Sequence, residues 1–388
     1  MLDKLPTKTL KILASTLILF GCFSVSASTN YYDRSLILGQ SCALSGPAQN
    51  LGLEMRAGLL AAFSLQNDKG GVHSREIVLL SLDDGYEPDK AVKNTNQLIY
   101  DDLVFALVGA VGTPTSKAVA PIVSRTRIPF FGPFTGAEFL REPFNKYVIN
   151  VRASYFQEME KVVSYLVEKK NMGRIACFYQ NDSYGFAGLK GIEVALEKRG
   201  MELVSKGSYE RNTVAVMGAL RDIYRAKPEA VILVGAYAAC SEFIKLSKTK
   251  IGDELVFCNI SFVGTESLRQ ALGGYGKDII VSQVVPSPYD ANLALTKEFK
   301  YAMDKYQHDA PRTFTSFEGY IVGKLFCEIA TAVKGELTRE NFIHTMQQVG
   351  RFDLGGVVLN FGENDHQGMD EVYLTQIYPV VTEIKETE

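Results

Sequence analysis

After Asn30 the chain alternates between short apolar runs and amphipathic stretches, and this beat constrains its fold more than any other feature. The runs SLILGQS, EIVLLSLDD, VFALVG and PFFGP are separated by segments such as LEMRAGLLAAFSLQNDKG and PDKAVKNTNQLIYDD. Runs of that length fit strands, and the helical spacing between them fits crossover helices. A βαβ series of this kind predicts a parallel sheet covered on both faces. The beat pauses at YVINVRAS (147–154) and restarts, with RIACFYQN, ELVSKGSYE, AVILVGA and LVFCNIS alternating with new amphipathic stretches. After IIVSQVVPSPYD come three helical stretches and then two late strands, GVVLNFG and VYLTQIYPV. Because no Gly/Ser-rich or Pro-rich linker divides the halves, the chain is expected to cross between two similar sheets more than once. That arrangement makes a hinge over a cleft.

With 388 residues, 46% hydrophobic and 22% charged, the chain can bury two cores. The net charge of -3 and the lack of a basic block argue against a nucleic-acid partner. Lys4, Lys8 and Lys11 precede an apolar run from Ile12 to Phe23, and Val25-Ser26-Ala27 offers the small residues of a cleavage site. Residues 1–27 are therefore expected to be an export signal. Leu19-Phe20-Gly21-Cys22 offers the alternative of a lipoprotein anchor at Cys22, although Phe20 is bulky for it. The mature protein is expected to be periplasmic and soluble. Its cysteines, Cys42, Cys177, Cys240, Cys258 and Cys327, are odd in number and scattered through apolar segments, which favours buried thiols over a disulfide framework. The histidines are scattered too, so no metal site is expected.

Several strand ends carry small, hydroxyl or aromatic residues. In open α/β sheets the carboxyl ends of strands are where ligands sit. The first strand breaks at Ser45-Gly46-Pro47, which leaves backbone N–H groups free. VGAVGTPTS sets Thr113 before a proline and a helix, and this residue is either a plain helix cap or a ligand contact. FFGPFTGAEF exposes Thr135 and Gly136 in a turn that an ordinary loop would also explain. Tyr184 and Tyr237 each fall in the first turn of a helix, where an aromatic either packs beneath the helix or offers a face and a hydroxyl to a ligand. No GxSxG, P-loop, HExxH or GxGxxG is present, and Asp83-Asp84 is more simply a solvated or capping pair than an acid/base dyad. No catalytic residue and no cofactor is expected.

Taken in order, SGPAQNLG, LDDGYEPDKAV, VGAVGTPTS, FFGPFTGAEF and YGFAGLKG resemble the type I solute-binding proteins of ABC transporters, in the group of the leucine/isoleucine/valine-binding protein. The resemblance runs from about Ser35 to about Val380. It implies an α/β protein of two Rossmann-like lobes joined by crossover strands around a ligand cleft. The lobes are expected at 29–151 plus 285–352 and at 152–284 plus 353–388. It further implies a monomer that hands a small solute to a permease in the inner membrane, or, alternatively, a sensing subunit reporting to a membrane receptor or kinase. Ser45, Leu51, Thr113, Thr135, Gly136, Tyr184, Tyr237 and Ser261 fall at ligand-site positions. Amino-acid binders of the group place an acid where this chain has Ser261, so simple L-amino acids are expected to bind poorly. Glu266 or Glu318 entering the cleft would restore an ammonium site.

Overall fold

The computed structural model describes residues 35–252, 254–377 and 380–384, and the expected leader with Cys22 lies outside them. Strand β1 (Ser35–Cys42) is buried along its length and pairs in parallel with β2 (Glu76–Asp83) and β3 (Ala106–Val108). β4 (Phe130–Phe131) and β5 (Val148–Ile149) complete a parallel sheet of order β2-β1-β3-β4-β5. Parallel neighbours need long crossovers, which α1 (Gln49–Asp68), α2 (Pro88–Tyr100) and α3 (Thr113–Thr126) supply.

The pause in the beat is the first passage to the second lobe. There α4 (Tyr155–Ser164), α5 (Ser183–Glu197), α6 (Met217–Arg225), α7 (Tyr237–Ile251) and α8 (Thr265–Leu272) alternate with β6 (Ile175–Gln180), β7 (Ser205–Tyr209), β8 (Ala230–Val234), β9 (Val256–Asn259) and β10 (Ile279–Gln283). The chain then returns to the first lobe. Helices α9 (Ala294–Tyr306), α10 (Phe314–Ala332) and α11 (Arg339–Val349) lead into the antiparallel hairpin β11 (Arg351–Asp353) and β12 (Val358–Asn360). A last passage brings β13 (Tyr373–Gln376) and β14 (Thr382–Glu383) to the second sheet, whose order is β14-β13-β10-β9-β8-β6-β7. β13 runs antiparallel to β10, so the second sheet is parallel except at this edge. A strand arriving from the other lobe is free of the direction that a βαβ crossover imposes.

Each lobe buries its own aromatic centre. In the first, Phe131, Phe326 and Phe342 pack edge-on or tilted with centroids 4.9 to 5.7 Å apart. In the second, Phe178 stacks on Phe243 at 4.3 Å and on Tyr209 at 5.0 Å. Such pairs add to the roughly 25 cal/mol per Å² gained by burying apolar surface. Cys42, Cys177, Cys240, Cys258 and Cys327 are all buried free thiols, as the sequence predicts.

Candidate functional site

Residues beyond the carboxyl ends of β3, β4, β6, β8 and β9 meet one another between the lobes and are buried there. Thr113 follows β3 as the first residue of α3. Gly112 holds the N-cap position, and the Thr113 side chain caps nothing. Instead its Oγ1 lies 2.6 Å from Thr135 Oγ1, and both hydroxyls reach the Tyr155 hydroxyl, at 3.4 and 3.3 Å. The plain-cap reading of Thr113 therefore fails. The three groups are fully buried, and Thr113 and Thr135 come from one lobe while Tyr155 comes from the other.

Tyr155 owes its place to a local signal. Ser154 caps α4, its hydroxyl accepting from Gln157 N while the Gln157 side chain accepts from Ser154 N. The helix thus starts immediately after the crossover and puts Tyr155 and Glu158 on one face. Gly136 makes room for it: a Cβ there would lie 2.7 Å from Tyr155 N, which donates to the Gly136 carbonyl at 2.7 Å. Around the hydroxyls stands an aromatic box. Tyr184 meets Tyr155 at 5.7 Å and Phe262 at 4.6 Å, and Phe262 meets Phe134 at 5.3 Å and Tyr86 at 6.0 Å. Burial pushes the phenols of Tyr86, Tyr155 and Tyr184 above their ordinary values, so they remain neutral donors.

Beside the box lies a charged group. Arg152 is 1% exposed and its guanidinium sits over the Phe134 ring, 4.6 Å from the centroid. Its Nη2 donates to Ser261 Oγ. Ser261 in turn donates from Oγ to Glu158 Oε1 and from N to Glu158 Oε2, both at 2.9 Å, and Ser282 Oγ donates to Glu158 Oε2 at 2.6 Å. Glu318, on α10 of the first lobe, approaches Arg152 Nε at 3.5 Å. Burial raises the Glu318 carboxyl to about 7, against the pull of Arg152. On Arg152 burial acts downward, but Glu318 and Glu158 together hold it above its ordinary value.

The remaining sequence candidates lie at the edges. Leu51 is buried against Gly264 of the opposite lobe, where a Cβ would come within 2.6 Å of Leu51 Cδ2. Tyr237 is half-buried, and burial raises its phenol above the ordinary value. Ser45 is exposed and donates to Asp83 at 2.5 Å, apart from the buried cluster. Asp83 also accepts from Leu44 N and Gly85 N, and it holds the turn. Asp84 is not solvated: it is buried, bonded to Ser41 Oγ and Tyr86 N, and raised by burial to about 6. Glu266 pairs with Arg269 on its own helix.

Residues 37–379 match the family model described as periplasmic binding protein. This chain belongs to that family. The periplasmic binding protein is 39% identical to a possible leucine/isoleucine/valine-binding protein from Rhodopirellula baltica SH 1, whose crystal structure superposes with a TM-score of 0.88 over 92% of this chain and 98% of that one. It is 27% identical over 311 residues to Leu/Ile/Val-binding protein homolog 7 of Brucella abortus (strain 2308), covering 77% of each chain. A solute-binding protein from an ABC transporter of R. palustris, solved in complex with benzoate, shares the fold at 20% identity, with a TM-score of 0.80 over 90% of this chain and 95% of that one. These likenesses bear out the type I, leucine/isoleucine/valine-binding-like group expected from the sequence, and with it the fold. Among the described residues no helix is long and apolar enough to cross a membrane, and none of their His, Cys, Asp and Glu side chains group as a metal site.

The strand-end signals found Thr113, Thr135, Gly136 and Tyr184, and the family resemblance found Ser261, all of which the periplasmic binding protein brings to one buried region. They missed Tyr155, Arg152, Glu158, Phe134 and Phe262. One usable signal was present for Arg152, a lone cation in the otherwise apolar crossover segment YVINVRAS. A charge in such a setting is costly unless it is paired.

Proposed function

We propose that this periplasmic binding protein captures a small metabolite between its lobes, closes on it, and delivers it to an ABC permease of the inner membrane. The ligand belongs to the amino-acid-like, small carboxylate or amide class. What carries the reading is the Thr113–Thr135–Tyr155 hydroxyl cluster: neutral, fully buried donors from both lobes, walled by Tyr184, Phe134 and Phe262. Hydroxyls that satisfy one another can turn to a ligand when the lobes part. The aromatic walls supply apolar contact.

The Thr113 side chain tests this. Thr113→Val keeps the shape and removes the hydroxyl, leaving a polar ligand atom unpaired at about 1–3 kcal/mol, or roughly tenfold to a hundredfold in affinity. Thr113→Ser retains the hydroxyl and is expected to stay near wild type. Mass spectrometry of the solute that co-purifies with the protein identifies the probe, and calorimetry with that solute reads the effect. Wild-type affinity in Thr113→Val would remove the cluster from the site.

A further inference from the structure

We propose that the ligand carries a carboxylate with no adjacent ammonium, and that Arg152 is its counter-charge through the free Nη1 edge of the guanidinium. The inference rests on the interlobe-cleft reading above and narrows it to a chemical class.

Two arginines stand at the crossover, Arg141 half-buried and Arg152 fully buried. Arg141, in the loop before the crossover, uses every nitrogen: Nε on the Gln367 side chain, Nη1 on the Ala137 carbonyl at 3.1 Å and Nη2 on the Arg152 carbonyl at 2.9 Å. It is a structural clamp. Arg152 uses only Nη2 among the described residues; its Nε and Nη1 are buried and make no hydrogen bond. A buried charged donor without an acceptor is expensive and calls for an explanation. The guanidinium covers Phe134, one wall of the aromatic box.

The acids nearby do not fill that edge. Glu158 already receives Ser261 N, Ser261 Oγ and Ser282 Oγ, and its approach to Arg152 is at Nη2, 3.8 Å away. Glu318 stands at Nε, too far for a good hydrogen bond at 3.5 Å. Nη1 is therefore left for an incoming acceptor, and a planar guanidinium suits a carboxylate. Glu318 does enter the seam, but it faces the Arg152 guanidinium at 3.5 Å, so the acid that would restore an ammonium site is already turned to a cation of the protein. Ser261, where amino-acid binders are expected to carry an acid, is bonded to a cation of the protein itself. A second cation placed there would meet like charge in a dehydrated site.

A proton accompanies the anion. Glu318 is raised by burial to about 7, and the charged groups acting on it are Arg152, Glu158 and Arg141. Helix α1, packed along α10, directs its buried acid Glu54 to Thr313 and Ser267 instead. A ligand carboxylate on Arg152 competes with Glu318 for the guanidinium and adds negative charge, so Glu318 takes up a proton on binding. Affinity must therefore rise as pH falls through neutrality.

The test uses matched sets on the intact mature protein: isocaproate, isocaproamide and L-leucine, and hydrocinnamate, hydrocinnamamide and L-phenylalanine. Each set shares one skeleton and differs only in the carboxylate or the ammonium. At least one acid is expected to bind about tenfold to a hundredfold tighter than its amide and its amino acid. That acid should gain about threefold to tenfold from about pH 8.5 to about pH 6, with the gain abolished in Glu318→Gln. Arg152→Lys keeps a charge beside Glu158 for folding, checked by circular dichroism, and is expected to lose the preference for acid over amide. An amide or amino acid binding as tightly as its acid, no acid binding at millimolar concentration, or a flat pH profile each overturns the role of Arg152. Scattering on the same samples separates this from failure of the cleft itself: a ligand that compacts the protein but ignores Arg152→Lys leaves the cleft reading standing. A ligand that binds without compaction and ignores Thr113→Val does not.

Discussion

The two lobes touch through a deep seam and through a rim, and the two are made of different chemistry. In the deep seam the contacts include neutral hydroxyls, aromatic faces, the Gln180–Tyr86 hydrogen bond and the Arg152–Glu318 approach, all between side chains at most 3% exposed. At the rim Arg211, from the loop after β7, reaches Glu87 of the first lobe at 2.7 Å, and Asn212 reaches the same carboxylate and the Gly85 carbonyl. Glu87 is 40% exposed there. Charge in high dielectric is weak and screened, whereas polar groups shut away from water demand the right partner. On the function proposed above, selectivity is assigned to the deep seam, and the rim to a small bias toward closure. The seam near α1 is intermediate: Glu54 is buried, accepts from Thr313 at 2.7 Å and is reached by Ser267 of the other lobe at 3.2 Å.

The largest effect is expected from Arg152→Met. Removing the guanidinium strands Glu158 without its cation, and breaking a buried pair in this way costs about 3–5 kcal/mol. Urea denaturation reads it, and a loss below about 1 kcal/mol would show that the deep seam behaves like surface charge.

Next comes Glu54. Burial raises its carboxyl from 4.5 to about 7, against hydrogen bonds from Thr313, Ser267 and Thr315, and Glu266 adds to the rise. A raised acid stabilises the folded form fully below its unfolded value and loses that contribution as pH climbs to the folded value. The window is therefore about pH 4.5 to about pH 7. Glu54→Gln keeps an acceptor oxygen for one of the two hydroxyls, offers its NH2 as a donor to the other, and has no proton to lose. Relative to wild type the variant should gain on the order of 3 kcal/mol across that window. Parallel stability curves for the two proteins would contradict the assignment.

Arg211→Ala should have the smallest effect. The rim pair is expected to contribute about 0.2–1 kcal/mol to the closed form and to fade with added salt. A salt-independent loss above about 2 kcal/mol would put the rim on the same footing as the deep seam.

The division between seam and rim also marks what the sequence disclosed. The apolar beat gave the two sheets, the crossovers and the strand ends, because periodicity is a local property of the chain. Thr113, Thr135 and Tyr184 were legible since they stand just past strands. Of the charged end, the resemblance pointed to Ser261 and raised Glu318, whereas Arg152 and Glu158 were not legible. Arg152 lies in the crossover, Ser261 beyond β9 and Glu318 inside the apolar helix α10, and only tertiary packing joins them. Of the two readings of Thr113 the plain cap fails for a local reason: Gly112, at a positive φ of 110°, takes the cap position and leaves the threonine hydroxyl to Thr135.

Closure around a solute is the premise beneath the ligand expectations, and small-angle scattering of the protein measures it directly. Protein stripped of ligand by denaturation and refolding should show a larger radius of gyration than the same protein saturated with the solute it co-purifies with. The saturated curve should match the closed arrangement described above. An unchanged radius at proven saturation would contradict the hinged cleft, and the selectivity assigned to its deep seam would fall with it.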